Sequence, residues 1–161
     1  MNDEHDKLAR ALLDACRERK LMVATAESCT GGWVAKVLTD LPGSSAVFER
    51  GFVTYSNEAK MELLDVPAKT LEQWGAVSEQ TVIAMTAGAL RHSRADLAVA
   101  ISGIAGPGGA TPDKPVGTVW FAWQRNGAAA TTRLAHFDGD RDSVRSQAVT
   151  TALSGLLNLA S

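Results

Sequence analysis

The stretch "LMVATAESCTGGW", Leu21–Trp33, decides the fold. "LMVATAES" is short, apolar and partly β-branched, the composition of a buried strand. Gly31 and Gly32 break it. Trp33, Val37, Leu38 and Leu41 then recur at helical spacing until Pro42 and Gly43 stop the pattern. A buried strand running through a tight turn into a helix is the unit from which α/β sheets are built. The turn itself has three readings. It presents a nucleophile, it holds a phosphate, or it only caps a helix through Ser28 or Thr30.

Outward from this unit, helices and strands alternate. Leu8, Leu12, Ala15 and Cys16 share one face of a helix over about residues 4–19, with Cys16 as a core residue. "AVFERGFVTYS" (46–56) reads as the next strand. "NEAKMELLDV" (57–66) reads as a short helix with Asn57 as N-cap, and "PAKTLEQWGA" (67–76) as a second helical piece. Ser78 caps a longer helix to about Arg91. "ADLAVAIS" (95–102) is a strand buried on both faces, followed by the Gly/Pro loop "GIAGPGGATPDKP" (103–115). "VGTVWFAWQ" and "AATTRLAHF" flank Asn126-Gly127, a hairpin signal. Trp120 and Trp123 fall on opposite faces of that strand and read as packing residues. A last helix covers about 140–159. The expected fold is a single domain over 1–161: a three-layer α/β/α sandwich with a mixed, mainly parallel sheet and one hairpin in its C-terminal half. Both glycine-rich loops follow strands, where ligands bind in open α/β sheets.

Composition narrows the function classes. A chain of 161 residues suits one core, and 45% apolar with 21% charged residues is that of a globular protein. The net charge of −2, without any Lys/Arg block, argues against a nucleic-acid partner. No apolar run approaches the ~18 residues of a membrane span, and the acidic N-terminus is unlike a signal peptide. Two cysteines fit a reducing, cytoplasmic setting. His5, His92 and His136 lack ligand spacing, so no metal is expected, and without a G-x-G-x-x-G fingerprint no cofactor is expected either.

The turn after the first strand lacks the Gly-Lys-Ser/Thr of a phosphate loop and the G-x-S-x-G of a nucleophile elbow. Its amides still suit an oxyanion or a phosphate. A serine nucleophile needs a base, and no histidine is placed to serve. "YSNEAK" (55–60) closes the next strand. If the two strands are neighbours, Tyr55 and Lys60 reach the Ser28 turn, and Ser-Lys pairs are a known alternative to Ser-His-Asp. Such a lysine must be neutral near pH 7, which burial can bring about. Cys29 competes with Ser28, and the sequence chemistry leaves both open. "ISGIAGPGG" (101–109) can bring backbone amides and Ser102 to a ligand. Arg141 and Arg145 share a helix face, either to bind a phosphate or to pair with Asp138 and Asp142.

Taken together, "TAESCTGG", "GSS", "FERGFVTYSNEAK", "GAVSE", "SGIAGPGG", "KPVGTVWFA" and "GDRDSVR" resemble the C-terminal domain of CinA over about residues 8–155. The resemblance is strongest to the stand-alone nicotinamide mononucleotide deamidases of that family. It implies a metal-free amidohydrolase that turns nicotinamide mononucleotide and water into nicotinic acid mononucleotide and ammonia, in the recycling of pyridine nucleotides toward NAD. It assigns Ser28 as nucleophile, Lys60 as base and Tyr55 as a neighbour of the dyad. It places the glycine-rich turns, with Cys29, Thr30, Gly31, Gly32, Ser102, Gly103 and Gly106, at the substrate; by chemistry, Arg141, Arg145 or a glycine-rich turn are the candidates for the 5′-phosphate. The pyrophosphatase activity of full-length CinA is not expected. A small-molecule substrate and a homodimer or other homo-oligomer are the expected partners, with no nucleic acid and no membrane. The alternative is a non-catalytic nucleotide-binding or regulatory module tied to competence or DNA damage.

Overall fold

Strand β1 (Val23–Glu27) lies inside a five-stranded sheet whose order is β2-β1-β3-β4-β5. The computed structural model describes residues 2–161. β2 (Phe48–Val53) and β3 (Leu97–Gly103) flank β1, both parallel to it. β4 (Thr118–Arg125) runs antiparallel to β3, and β5 (Thr131–His136) antiparallel to β4. The last two form the expected hairpin, whose Asn126-Gly127 turn closes with Ala128 N–H donating to Arg125 C=O at 3.0 Å. The sheet is therefore mixed, with its parallel half around the "ESCTGG" turn. β1 and β3 are buried along nearly their whole length, as apolar runs in a covered sheet should be.

The two faces differ in side-chain size. Val23, Val99, Ile101, Val119, Phe121 and Trp123 point to one layer, made by α1 (Asp3–Arg19), α2 (Trp33–Thr39) and α6 (Arg141–Ala160). Ala26, Ala98, Ala100 and Ala122 point to the other, where α3 (Asn57–Leu64), α4 (Ala68–Trp74) and α5 (Glu79–Arg91) pack. Period-two alternation of large and small residues along each strand makes this division. Trp120 and Trp123 go to opposite layers, and Cys16 is fully buried in the first. A Cβ on Gly88 of α5 would run into the backbone of Leu64, so α3 and α5 cross at a distance only glycine permits.

Local signals place the elements. Ser78 caps α5 by accepting from Thr81 N–H, as expected. The cap of α3 is one residue earlier than expected: Ser56, not Asn57, accepts from Ala59 N–H at 3.0 Å. Asn57 already has helical backbone, so its side chain cannot fold back on the first turn. Edge strand β2 carries a bulge, since Val23 pairs with Phe48 but Ala24 with Arg50, leaving Glu49 as the extra residue. No helix among the described residues is long and apolar enough to cross a membrane.

Candidate active site

The C-terminal ends of β1, β2 and β3 converge on one point. Ser28 follows β1 directly, and its N–H donates to Ile101 C=O of β3 at 2.9 Å. On the other flank, Thr54 N–H donates to Glu27 C=O at 2.9 Å and extends the β1–β2 pairing past the strand end. That pairing carries the chain from Thr54 through Tyr55 into α3. Lys60, on the first turn of α3, therefore points back at the Ser28 turn.

The Lys60 Nζ lies 2.9 Å from Ser28 Oγ. It also donates to the carbonyls of Thr54 at 2.8 Å and Tyr55 at 3.3 Å. Lys60 is 1% exposed and forms no salt bridge among the described residues. Removing an ammonium from water without a carboxylate partner favours the neutral amine. Burial accordingly pulls the Lys60 amine down to about 8, opposed in part by Cys29. The coordination suits that form. A neutral amine gives its two hydrogens to the two carbonyls and turns its lone pair to the Ser28 hydroxyl.

Cys29 goes the other way. It is 6% exposed, and burial raises its thiol to about 11, offset in part by backbone amides and Arg145. The thiolate that would make it a nucleophile is scarce at neutral pH. The sequence left Ser28 and Cys29 level; the surroundings separate them.

Ser28, Cys29, Tyr55, Lys60, Ser102, Gly103 and Arg141 border one pocket of about 180 Å³ with Ala76, Val77 and Ala105. Arg141 spans its mouth. Its guanidinium donates to Gly106 C=O at 2.8 Å and to the Tyr55 hydroxyl at 3.2 Å. Gly106 thus supports Arg141 and does not line the pocket. Thr30, Gly31, Gly32 and Arg145 border a separate, larger cleft of about 780 Å³ between α1 and α2, with His5, Trp33 and Lys36. Arg145 is engaged there: Nε donates to Cys29 C=O at 3.0 Å, Nη2 to Thr30 C=O at 3.2 Å, and the guanidinium stacks on Trp33. Neither arginine pairs with Asp138 or Asp142 among the described residues.

Sequence reasoning missed Glu27. The first turn of α2 is not capped by Ser28 or Thr30, because its N-cap position is Gly32, which has no side chain. The Glu27 carboxylate does this work from the end of β1. It accepts from Thr30 Oγ1 at 2.7 Å, Val34 N–H at 2.9 Å and Ala35 N–H at 3.0 Å. A lone acidic residue at the end of an otherwise apolar strand was the available signal.

The family model for the CinA C-terminal domain matches residues 5–160. The chain belongs to the CinA C-terminal domain family. It is 57% identical over 150 residues to the nicotinamide-nucleotide amidohydrolase PncC of Escherichia coli K12, covering 93% of this chain and 91% of that protein. It is 52% identical over 152 residues to PncC of Pseudomonas putida, covering 94% of each. Among solved structures, the competence/damage inducible protein CihA of Agrobacterium tumefaciens superposes with a TM-score of 0.97 at 45% identity, covering 100% of this chain and 98% of that one.

Proposed function

We infer that this chain is a nicotinamide-nucleotide amidohydrolase working through a Ser28/Lys60 acyl-enzyme. The observation that carries the reading is the buried Lys60 amine, lacking a carboxylate and 2.9 Å from the Ser28 hydroxyl. Its similarity to the PncC amidohydrolases supports the substrate class.

The geometry supports the following steps. Lys60 Nζ takes the Ser28 proton as Oγ attacks the carboxamide carbon of nicotinamide mononucleotide. The resulting oxyanion needs preset N–H donors. In the 29–32 turn, Gly31 N–H is spent on Ser28 C=O, whereas Cys29 N–H and Thr30 N–H have no partner among the described residues. Those two are the donors we assign. The Lys60 ammonium then protonates the departing nitrogen, and ammonia leaves as the C–N bond breaks. Water, deprotonated by the same amine, attacks the Ser28 ester. The C–O bond breaks, the proton returns to Ser28, and nicotinic acid mononucleotide departs, available for NAD recycling.

The pocket is too small for a whole nucleotide, since sites that enclose drug-sized ligands start near ~300 Å³. It takes the pyridine ring and carboxamide. The ribose phosphate then lies at the mouth, where Arg141 and Tyr55 stand. Incubation with nicotinamide mononucleotide should release ammonia, and Ser28→Ala or Lys60→Ala should cut the rate at least ~1000-fold. Nucleotide binding in a calorimeter with no ammonia from the native protein would instead make it a non-catalytic binding module.

A further inference from the structure

Groups of opposite charge grip the Ser28 turn from two sides. The fully buried Glu27 carboxylate, an acceptor only, takes the Thr30 hydroxyl and the Val34 and Ala35 N–H groups. The Arg145 guanidinium, a donor only, takes the Cys29 and Thr30 carbonyls. Neither side chain borders the Ser28 pocket.

Peptide geometry turns this grip into a statement about chemistry. In a trans peptide the C=O and the following N–H point in opposite directions. Ser28 C=O accepts from Gly31 N–H at 3.0 Å, Cys29 C=O from Arg145, and Thr30 C=O from Arg145 and from Trp33 N–H at 3.0 Å. Every carbonyl of the turn from Ser28 to Thr30 is therefore held. The Cys29 and Thr30 N–H groups, opposite the first two carbonyls, are held with them and left without partners among the described residues. Arg145 reaches the turn from the outer cleft, so Thr30 N–H is directed away from that cleft.

We propose that Glu27 and Arg145 are paired positioning residues that hold the Ser28 turn in place, Arg145 setting the Thr30 N–H as an oxyanion donor through the Cys29 carbonyl, without touching substrate. The proposal rests on the amidohydrolase reading with Ser28 as nucleophile. Glu27→Gln keeps the volume but sets an NH2 against N–H or O–H donors. Arg145→Ala takes from the Cys29 carbonyl its partner on α6 while Trp33 N–H still holds the Thr30 carbonyl, so the Cys29–Thr30 peptide, which carries the Thr30 N–H, can rotate.

The test measures ammonia release from nicotinamide mononucleotide by the full chain. Active serines are counted by titration to completion with a fluorophosphonate. Glu27→Gln and Arg145→Ala should each lower kcat per titrated serine by about 10- to 100-fold, in line with misplacing an oxyanion donor. KM should move less than about threefold, and the acid limb of the pH profile should stay in place because Lys60 is untouched. Millimolar guanidinium, but not ammonium, should restore at least about fivefold to Arg145→Ala, since only a planar fork reaches two carbonyls. A purely structural role would give fewer titratable serines, native kcat per serine and no rescue, and that result overturns the proposal. If Glu27→Gln does not fold, Arg145→Ala and its rescue decide. Full activity in Ser28→Ala would overturn the amidohydrolase mechanism itself. A dead Ser28→Ala beside a native-rate Arg145→Ala would overturn only the positioning role.

Discussion

Lys60 and the two carbonyls that orient it all lie between Thr54 and Lys60, so the amine is aimed by its own segment. Ser28 comes from a different strand and meets it through one pairing, β1 with β2. The proposed base is thus built locally and delivered as a unit, and the proposed chemistry depends on how that unit titrates.

Burial lowers Lys60 to about 8, and the proposed mechanism needs its deprotonated form. kcat/KM should rise tenfold per pH unit below the midpoint and level off above about pH 8. A rate profile from pH 6 to 10 at low substrate checks this. A midpoint near the ordinary lysine value of ~10.4 would remove Lys60 as the neutral base.

The same shift makes stability depend on pH. Between about 8 and 10.5 the unfolded chain holds a proton on Lys60 that the folded chain has released. Unfolding then takes up a proton, so the contribution of Lys60 to stability increases with pH across that window and is unfavourable below it. Relative to Lys60→Met, the native protein should gain about 3 kcal/mol from pH 7 to 10.5. Urea unfolding of both proteins at several pH values measures the difference.

Cys29 should resist thiol chemistry. A buried thiol raised to about 11 is almost wholly protonated at pH 7.5. Iodoacetamide at that pH should leave most of the activity, and Cys29→Ser should keep the rate within about threefold, as expected of a group that is not the nucleophile. Loss of activity in step with alkylation, followed by mass spectrometry, would move the nucleophile to Cys29.

The α3–α5 crossing should be sensitive to one methyl group. Gly88→Ala drives a Cβ into the Leu64 backbone. Overpacking of this kind costs about 1–3 kcal/mol, seen as a lower Tm. Because Leu64 lies one turn beyond Lys60 on α3, kcat should fall as well.

The strand-turn-helix unit, the hairpin at Asn126-Gly127 and the Ser78 cap were legible because each rests on neighbouring residues. Lys60 was legible as a candidate because "YSNEAK" follows directly on the strand that pairs with β1. The α3 cap was misplaced by one residue because Ser56 and Asn57 are both good capping types and only backbone geometry separates them. Glu27 was missed because its amide partners lie seven and eight residues on, past a turn that carried more obvious caps. The two arginines, alike on a helix face, could not be told apart until the fold sent Arg141 to the pocket mouth and Arg145 to the back of the turn.

The Glu49 bulge has a consequence for how this chain tolerates insertion and deletion. It sits upstream of the stretch where β2 runs in step with β1, from Arg50 opposite Ala24 to Val53 opposite Glu27. A one-residue change in length at the bulge can be absorbed there, because the pairing resumes at Arg50 either way. The same change between Arg50 and Lys60 has no slack to draw on. It would turn each following side chain to the wrong face and carry the lysine away from the serine. The bulge works as an expansion joint, so a change of length before Arg50 leaves Lys60 facing Ser28, and the ten residues after it form a fixed ruler.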